Sequence, residues 1–271
     1  MSWRVIARGN LRGTARERGT LALVCGFLLG FGGLAALIVY VGEPSFEGYL
    51  DLLAPGVSLL VPLAGIVVGY DAVVTERETG TAVLTLSMPH SRAALVAGNL
   101  AGRTALFAGV VGVATGLTGL GMAATYPAFD AGRYLGFVAV TVGYGIVFVW
   151  LAAALSMALS TSRRVIAAAF GSYLGLVLSW NVIVAVVEAV LFRFRSPGPE
   201  PVAWSTAATF VGPRTASAYL LGETLDAGVV PPVAAEVTAW YVSPAVAALA
   251  LVAWAVVPVA IGYGAFQRSD L

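Results

Sequence analysis

The chain has 271 residues, of which 59% are hydrophobic and only 11% charged, with a formal net charge of +1. A mean hydropathy of +0.90 and so few charges, against about 25% in ordinary soluble domains, exclude a soluble globular protein. All fifteen basic residues are Arg, so a Walker A phosphate loop and a Schiff-base lysine are excluded as well. One Cys (Cys25) and one His (His90) rule out an intrachain disulfide and leave no cluster with zinc or copper spacing, so no metal site is expected.

The first seventeen residues after Met1, SWRVIARGNLRGTARER, carry Arg4, Arg8, Arg12 and Arg16 at four-residue steps. That spacing lays them along one slowly drifting helix face, with Trp3, Ile6, Ala7 and Leu11 turned elsewhere. An amphipathic interfacial helix of this kind lies on an anionic leaflet, each Arg adding about 1 kcal/mol near the surface. The same charges equally serve as topology charge on the inner side. The apolar run that follows is longer than a signal-peptide core and has no small-residue cleavage site, which argues against a cleaved leader.

Six intervals between charges are long enough to cross a bilayer: Arg18 to Glu43, Asp51 to Asp71, Arg103 to Asp130, Arg133 to Arg163, Arg164 to Glu188 and Glu236 to Arg268. Each encloses roughly 19 to 31 uncharged residues, and about 20 helical residues span a 30 Å hydrocarbon core. The expected fold is an all-α membrane protein forming a single transmembrane domain over 1–271. Its spans lie near 20–42, 53–74, 104–126, 134–160, 165–190 and 244–266. An outer-membrane barrel would instead show alternating segments of about ten residues, and continuous runs such as ALFAGVVGVATGLTGLGMAA exclude it. With the N-terminus inside, eleven Arg fall on inner segments and four on outer ones, which predicts both termini cytoplasmic. Small-residue pairs at four-residue steps, Gly26/Gly30, Gly112/Gly116 and Gly171/Gly175, would permit close helix approach, although 32 Gly also produce such pairs by chance.

The outer loop 191–243 begins Pro-rich and then turns semi-apolar, in pieces too short to span. It predicts short outer helices that are either re-entrant or an ordinary lid over the bundle, and loop length favours the lid. Within the spans the candidate path residues are Asn181 and Glu188. The simpler reading of Glu188, as of Asp71, is an interfacial carboxylate reaching toward water. Asn181 either lines a path or bonds across helices at about 0.6–2 kcal/mol. No paired carboxylates and no Ser/His/Asp or Cys/His set falls in the spans, so no catalytic residue is expected. No inverted repeat is visible, which lowers the reading as a secondary carrier.

The polar hairpin 75–103 differs from every other stretch. Thr75 and Glu78 have capping-box spacing, and Glu76, Arg77 and Glu78 form a mixed-charge corner below the second span. Gly80-Thr81 restarts the chain, Ala82 to Met88 is a short apolar stretch, and Pro89 stops it. Ser91 and Arg92 then open a helical run through Asn99 and Arg103 into the third span. A short apolar helix at this place buries its face either in lipid or in a cleft on a partner protein.

The run ERETGTAVLTLSMPHSRAALVAGNLAGR resembles the cytoplasmic signature of the ABC-2 family of permeases. Both have an acidic/Arg pair, Gly-Thr, a Leu-rich turn, Ser-x-Pro, Ser-Arg and a helix entering the next span. The C-terminal AFQRSDL is similar to the tail of some members, and the six spans, basic N-terminus and long outer loop extend the resemblance over most of the chain. That family's hairpin usually carries a Lys after the Gly ahead of the third span; here Asn99 follows Gly98.

The resemblance implies a non-catalytic, multi-pass permease subunit in the cell membrane, part of an ATP-driven transporter and an exporter. It implies a separate ABC ATP-binding subunit and a second permease subunit, identical or different, as partners. On the same carry-over a coupling helix that docks on the ATPase comprises Glu76, Arg77, Glu78, Gly80, Thr81, Leu84, Leu86, Ser87, Met88, Pro89, Ser91 and Arg92. No cofactor is expected on this chain, ATP and Mg belonging to the partner; membrane lipid is expected as a partner and nucleic acid is not. Two alternatives stand beside this: a standalone channel or secondary carrier, or an assembly factor recruiting an ATPase for maturation of an exported enzyme.

Overall fold

The computed structural model describes residues 18–42, 44–75, 92–195, 202–225 and 239–268, and among them every regular element is a helix. Five helices are long and apolar enough to cross a bilayer: α1 (Gly19–Val41), α2 (Phe46–Gly69), α3 (Arg92–Thr125), α4 (Ala131–Ala158) and α9 (Pro244–Arg268). The fifth apolar run is not the single helix that its composition predicts: it forms two pieces, α5 (Ser162–Leu178) and α6 (Trp180–Leu191), bent by 73° at Ser179, which make a sixth crossing when the pair counts as one span. Between it and α9 the described residues form two short helices, α7 (Ala203–Phe210) and α8 (Pro213–Leu225).

Local chemistry sets several of the helix ends. Gly42 closes α1 in the left-handed region (φ 105°), which a side chain would strain. Ser45 caps α2 by accepting from the Gly48 amide at 3.2 Å, and Asp130 caps α4 by accepting from Gly132 and Arg133 at 2.8 and 3.0 Å. At the other end of the bundle, where the hairpin leaves α2, the α3 helix already begins at Arg92 and runs unbroken into the span.

The α4 helix forms the centre of the bundle and packs on α2, α3, α8 and α9. Phe137, Tyr144, Phe148 and Val149 on it are essentially fully buried. Close approach depends on glycines that the four-residue pattern did not single out. A side chain at Gly65 or Gly69 of α2 would run into the α4 backbone near Gly145 and Val149. A side chain at Gly145 would strike Phe107 of α3, and one at Gly262 of α9 would strike the Ala154 carbonyl. The pairs Gly26/Gly30, Gly112/Gly116 and Gly171/Gly175 meet nothing within 4 Å. Among the described residues, then, no helix packs closely on them.

Tyrosine hydroxyls tie the helices where water is absent. Pro62 has no amide hydrogen to give the Ser58 carbonyl one turn back, and Tyr144 donates to that carbonyl instead, at 3.3 Å. Tyr49 donates to Phe31 O, inside a π turn of α1 (Leu28–Gly33), at 3.2 Å, and Tyr126 to Ala35 O at 2.9 Å. Freed carbonyls in hydrocarbon need such partners.

Candidate functional site

Most of the predicted coupling residues, Glu76 through Ser91, lie outside the described residues, as do Arg4, Arg8, Arg12 and Arg16; Arg92 is the first residue of α3. What the structure describes is the root of the hairpin. After Gly69 the chain turns, with the Ala72 amide donating to Gly69 O at 3.2 Å. It then tucks Ala72, Val73 and Val74 into the bundle at 3, 2 and 0% exposure.

Two helices, α3 and α4, hold this elbow through polar groups. The Val73 and Val74 amides both donate to Oγ of Ser156, a fully buried residue near the end of α4, at 3.0 and 2.9 Å. Asn99 of α3, 1% exposed, donates through Nδ2 to the Ala72 carbonyl at 2.7 Å. One turn on, Arg103 donates to Val68 O at 3.0 Å, placing a cation on the carbonyl end of α2 where the helix dipole favours it. Arg103 also stands 2.7 Å from Asp71 Oδ1. That contact is a close ion pair and not an aligned hydrogen bond, since Oδ1 makes none among the described residues. Asp71 is thus paired with a helix that returns to it, and is more than a carboxylate reaching for water.

Apolar packing completes the clamp. Ala72 and Val73 share a small core with Leu95 and Val96 of α3, Ala153, Ala154 and Met157 of α4, and Phe266 of α9. This core joins the root of the hairpin to α3, α4 and α9. Removing one of its buried polar groups orphans a backbone partner, at a cost of about 1–3 kcal/mol. The sequence marked Arg103 only as a helix residue and Asn99 also as the residue in place of the family's usual Lys, and gave no sign of Ser156. A lone Asn in an apolar helix was the available signal.

The second region is the bend in the fifth crossing. Leu174–Leu178 winds as a π turn, Ser179 sits at φ −114°, ψ 0°, and the backbone opens there. Asn181 is exposed on the first turn of α6, and Glu188 is half-buried two turns further on. The α7–α8 turn fits into the bend. Trp180 Nε1 donates to Ala208 O and Trp254 Nε1 of α9 to Val211 O, both at 2.9 Å. The two indoles meet edge to face at 5.5 Å, and Gly212 lies against the Trp180 ring with no room for a side chain. Arg214, on the first turn of α8, donates to the Val177 carbonyl at 3.3 Å.

These contacts fix how deep the turn reaches. Trp254 and Tyr144 stand about 15 to 20 Å along α9 and α4 from their far ends at 1.5 Å per residue, roughly halfway across a 30 Å core. The α7–α8 turn thus packs at the level of the middle of α9, a depth that suits the re-entrant one of the two forms expected for this loop.

Residues 5–271 match the family model described as ABC-2 family transporter protein. The chain is also similar to the probable ABC transporter permease protein NosY of Pseudomonas aeruginosa, 29% identical over 277 residues and covering 98% of each protein. The match takes in the hairpin, its clamp and the α7–α8 pair together.

Proposed function

The chain belongs to the ABC-2 transporter family as a multi-pass permease subunit, and from that premise we propose that a separate ATP-binding subunit drives it to export its substrate across the cell membrane. The hairpin 75–103 faces the cytoplasm in this reading, as do both termini, in keeping with eleven inner Arg against four outer ones. The segment from Glu76 to Arg92 docks in a groove of the ATP-binding subunit, which carries ATP and Mg. A second permease subunit packs on an outward apolar face of this one.

The observation that carries the reading is the clamp at the root of the hairpin. A loop that merely linked two spans would not need two amides, a carbonyl and an ion pair fixed to two neighbouring helices. A lever needs a stiff root, because a displacement applied at its tip otherwise dissipates in local bending. Closure of the ATP-binding subunits on ATP moves the hairpin, and the clamp passes that movement to α3, α4 and α9.

Co-purification tests the assignment. Scrambling Ala82–Pro89 should abolish the complex with the ATP-binding subunit while the chain still inserts in the membrane. A complex that survives the scramble contradicts the docking site.

A further inference from the structure

The guanidinium of Arg214 presents an unusual combination. Its backbone sits at the α7–α8 turn, about 15 to 20 Å from the far ends of α2, α4 and α9 and so near mid-bilayer. Its side chain is nonetheless exposed on the surface of the bundle. It gives one N–H to the Val177 carbonyl and lies near the buried Tyr144 hydroxyl. Among the described residues no carboxylate pairs with it, the ion pairs being Arg103–Asp71, Arg133–Glu47 and Arg133–Asp130.

An Arg facing hydrocarbon at this depth is strongly unfavourable, and such residues face a partner group or water. The backbone beside it argues for water. A broken helix and a re-entrant turn are tolerated in a bilayer only where protein buries them or a wet cavity bathes them. Here Ser179 at the break is half-buried and Asn181, two residues on, is exposed. The Val177 carbonyl explains one of the five donors that a guanidinium carries. It does not explain the exposure of the rest.

We propose that Arg214 marks the midpoint of a water-accessible path along the α5–α6 face, and that the substrate crossing there is an anion. This rests on the permease reading and adds the chemical class of what the permease moves. The positive end of α8, whose first turn contains Arg214, adds to the same potential.

The test uses the complex of the full chain with its ATP-binding subunit, in lipid nanodiscs. Cys25 is exposed, so the background is Cys25→Ser, and Leu178→Cys places a thiol on the exposed residue next to Val177. Its reaction rates with an anionic and a cationic methanethiosulfonate are measured, each relative to a free thiol. With Arg214 present, the anionic reagent should be favoured. Arg214→Gln should reduce the anionic-to-cationic ratio by about tenfold, and Arg214→Lys should keep most of it. Equal relative rates in the Arg214 protein overturn the proposal, whether or not the Gln variant folds, and indicate a carboxylate paired with the guanidinium. Failure of both reagents to react overturns it also, since the face is then lipid-bound or sealed. Either result in an intact complex leaves the permease reading standing; only loss of the complex itself counts against that reading.

Discussion

Replacing Gly145 with leucine is expected to keep the chain from accumulating as a folded bundle. Gly145 lies at the crossing of three helices, where an added Cβ would run into the Phe107 ring of α3 and come within 3.1 Å of Val61 of α2. Phe107 is 1% exposed and Val61 1%, so neither has space to retreat into. Overpacking a tight core by a methylene or two costs about 1–3 kcal/mol, and a whole isobutyl group at a backbone crossing exceeds that range. Gly69→Leu meets the Val149 carbonyl in the same way. Gly112→Leu is the control, because nothing lies within 4 Å of its Cβ position. Detergent gel filtration and thermal denaturation of tagged variants decide the matter. Gly145→Leu should aggregate or melt far below the parent, with Gly112→Leu close to it; equal behaviour of the two would show that α4 does not hold the centre.

Cutting the clamp is expected to uncouple the protein while its complex stays assembled. Ser156→Ala removes the acceptor shared by two buried amides, and Asn99→Leu removes the donor to Ala72 O. Each orphaned group costs about 1–3 kcal/mol, enough to let the elbow open locally while the bundle persists. In vesicles holding the complex, the double variant should retain the ATP-binding subunit and its ATP hydrolysis but lose about tenfold or more in ATP-driven transport. Transport that persists unchanged with the clamp cut would mean the force enters elsewhere. Arg103→Gln should behave similarly but more mildly, since the Arg103 side chain is 11% and that of Asp71 27% exposed, so solvent screens part of the pair.

The contrast between what the sequence told and what it hid has physical causes. Charge-free intervals predict spans well because a bilayer penalises any unpaired charge or open backbone, and the helices found here follow those intervals. The bend at Ser179 was not legible. No Pro stands near the break in LGLVLSWNVIV, and its one Gly, Gly175, lies four residues before it, whereas α2 holds Pro55 and Pro62 and α9 holds Pro258 within continuous helices. What opens the backbone at 179 is tertiary: a π turn, two indoles and an Arg from a helix more than thirty residues later in the chain. The depth of the α7–α8 pair was hidden for the same reason, since composition alone does not separate a re-entrant pair from a lid. At the hairpin the charges Asp71 and Arg103 marked the ends of spans, yet their pairing depends on α3 starting well before its apolar run. The small-residue steps misled because spacing says nothing about which face is inside.

The central claim is that work from a partner motor enters this bundle through the hairpin between α2 and α3. Its most direct test places a single thiol, Ser87→Cys in the Cys25→Ser background, and treats membranes holding the complex with a short bifunctional thiol cross-linker. The account predicts an adduct between this chain and the ATP-binding subunit, and no labelling of that thiol by an impermeant reagent added outside intact cells. Labelling from outside, or an intact complex that yields no adduct, would contradict it.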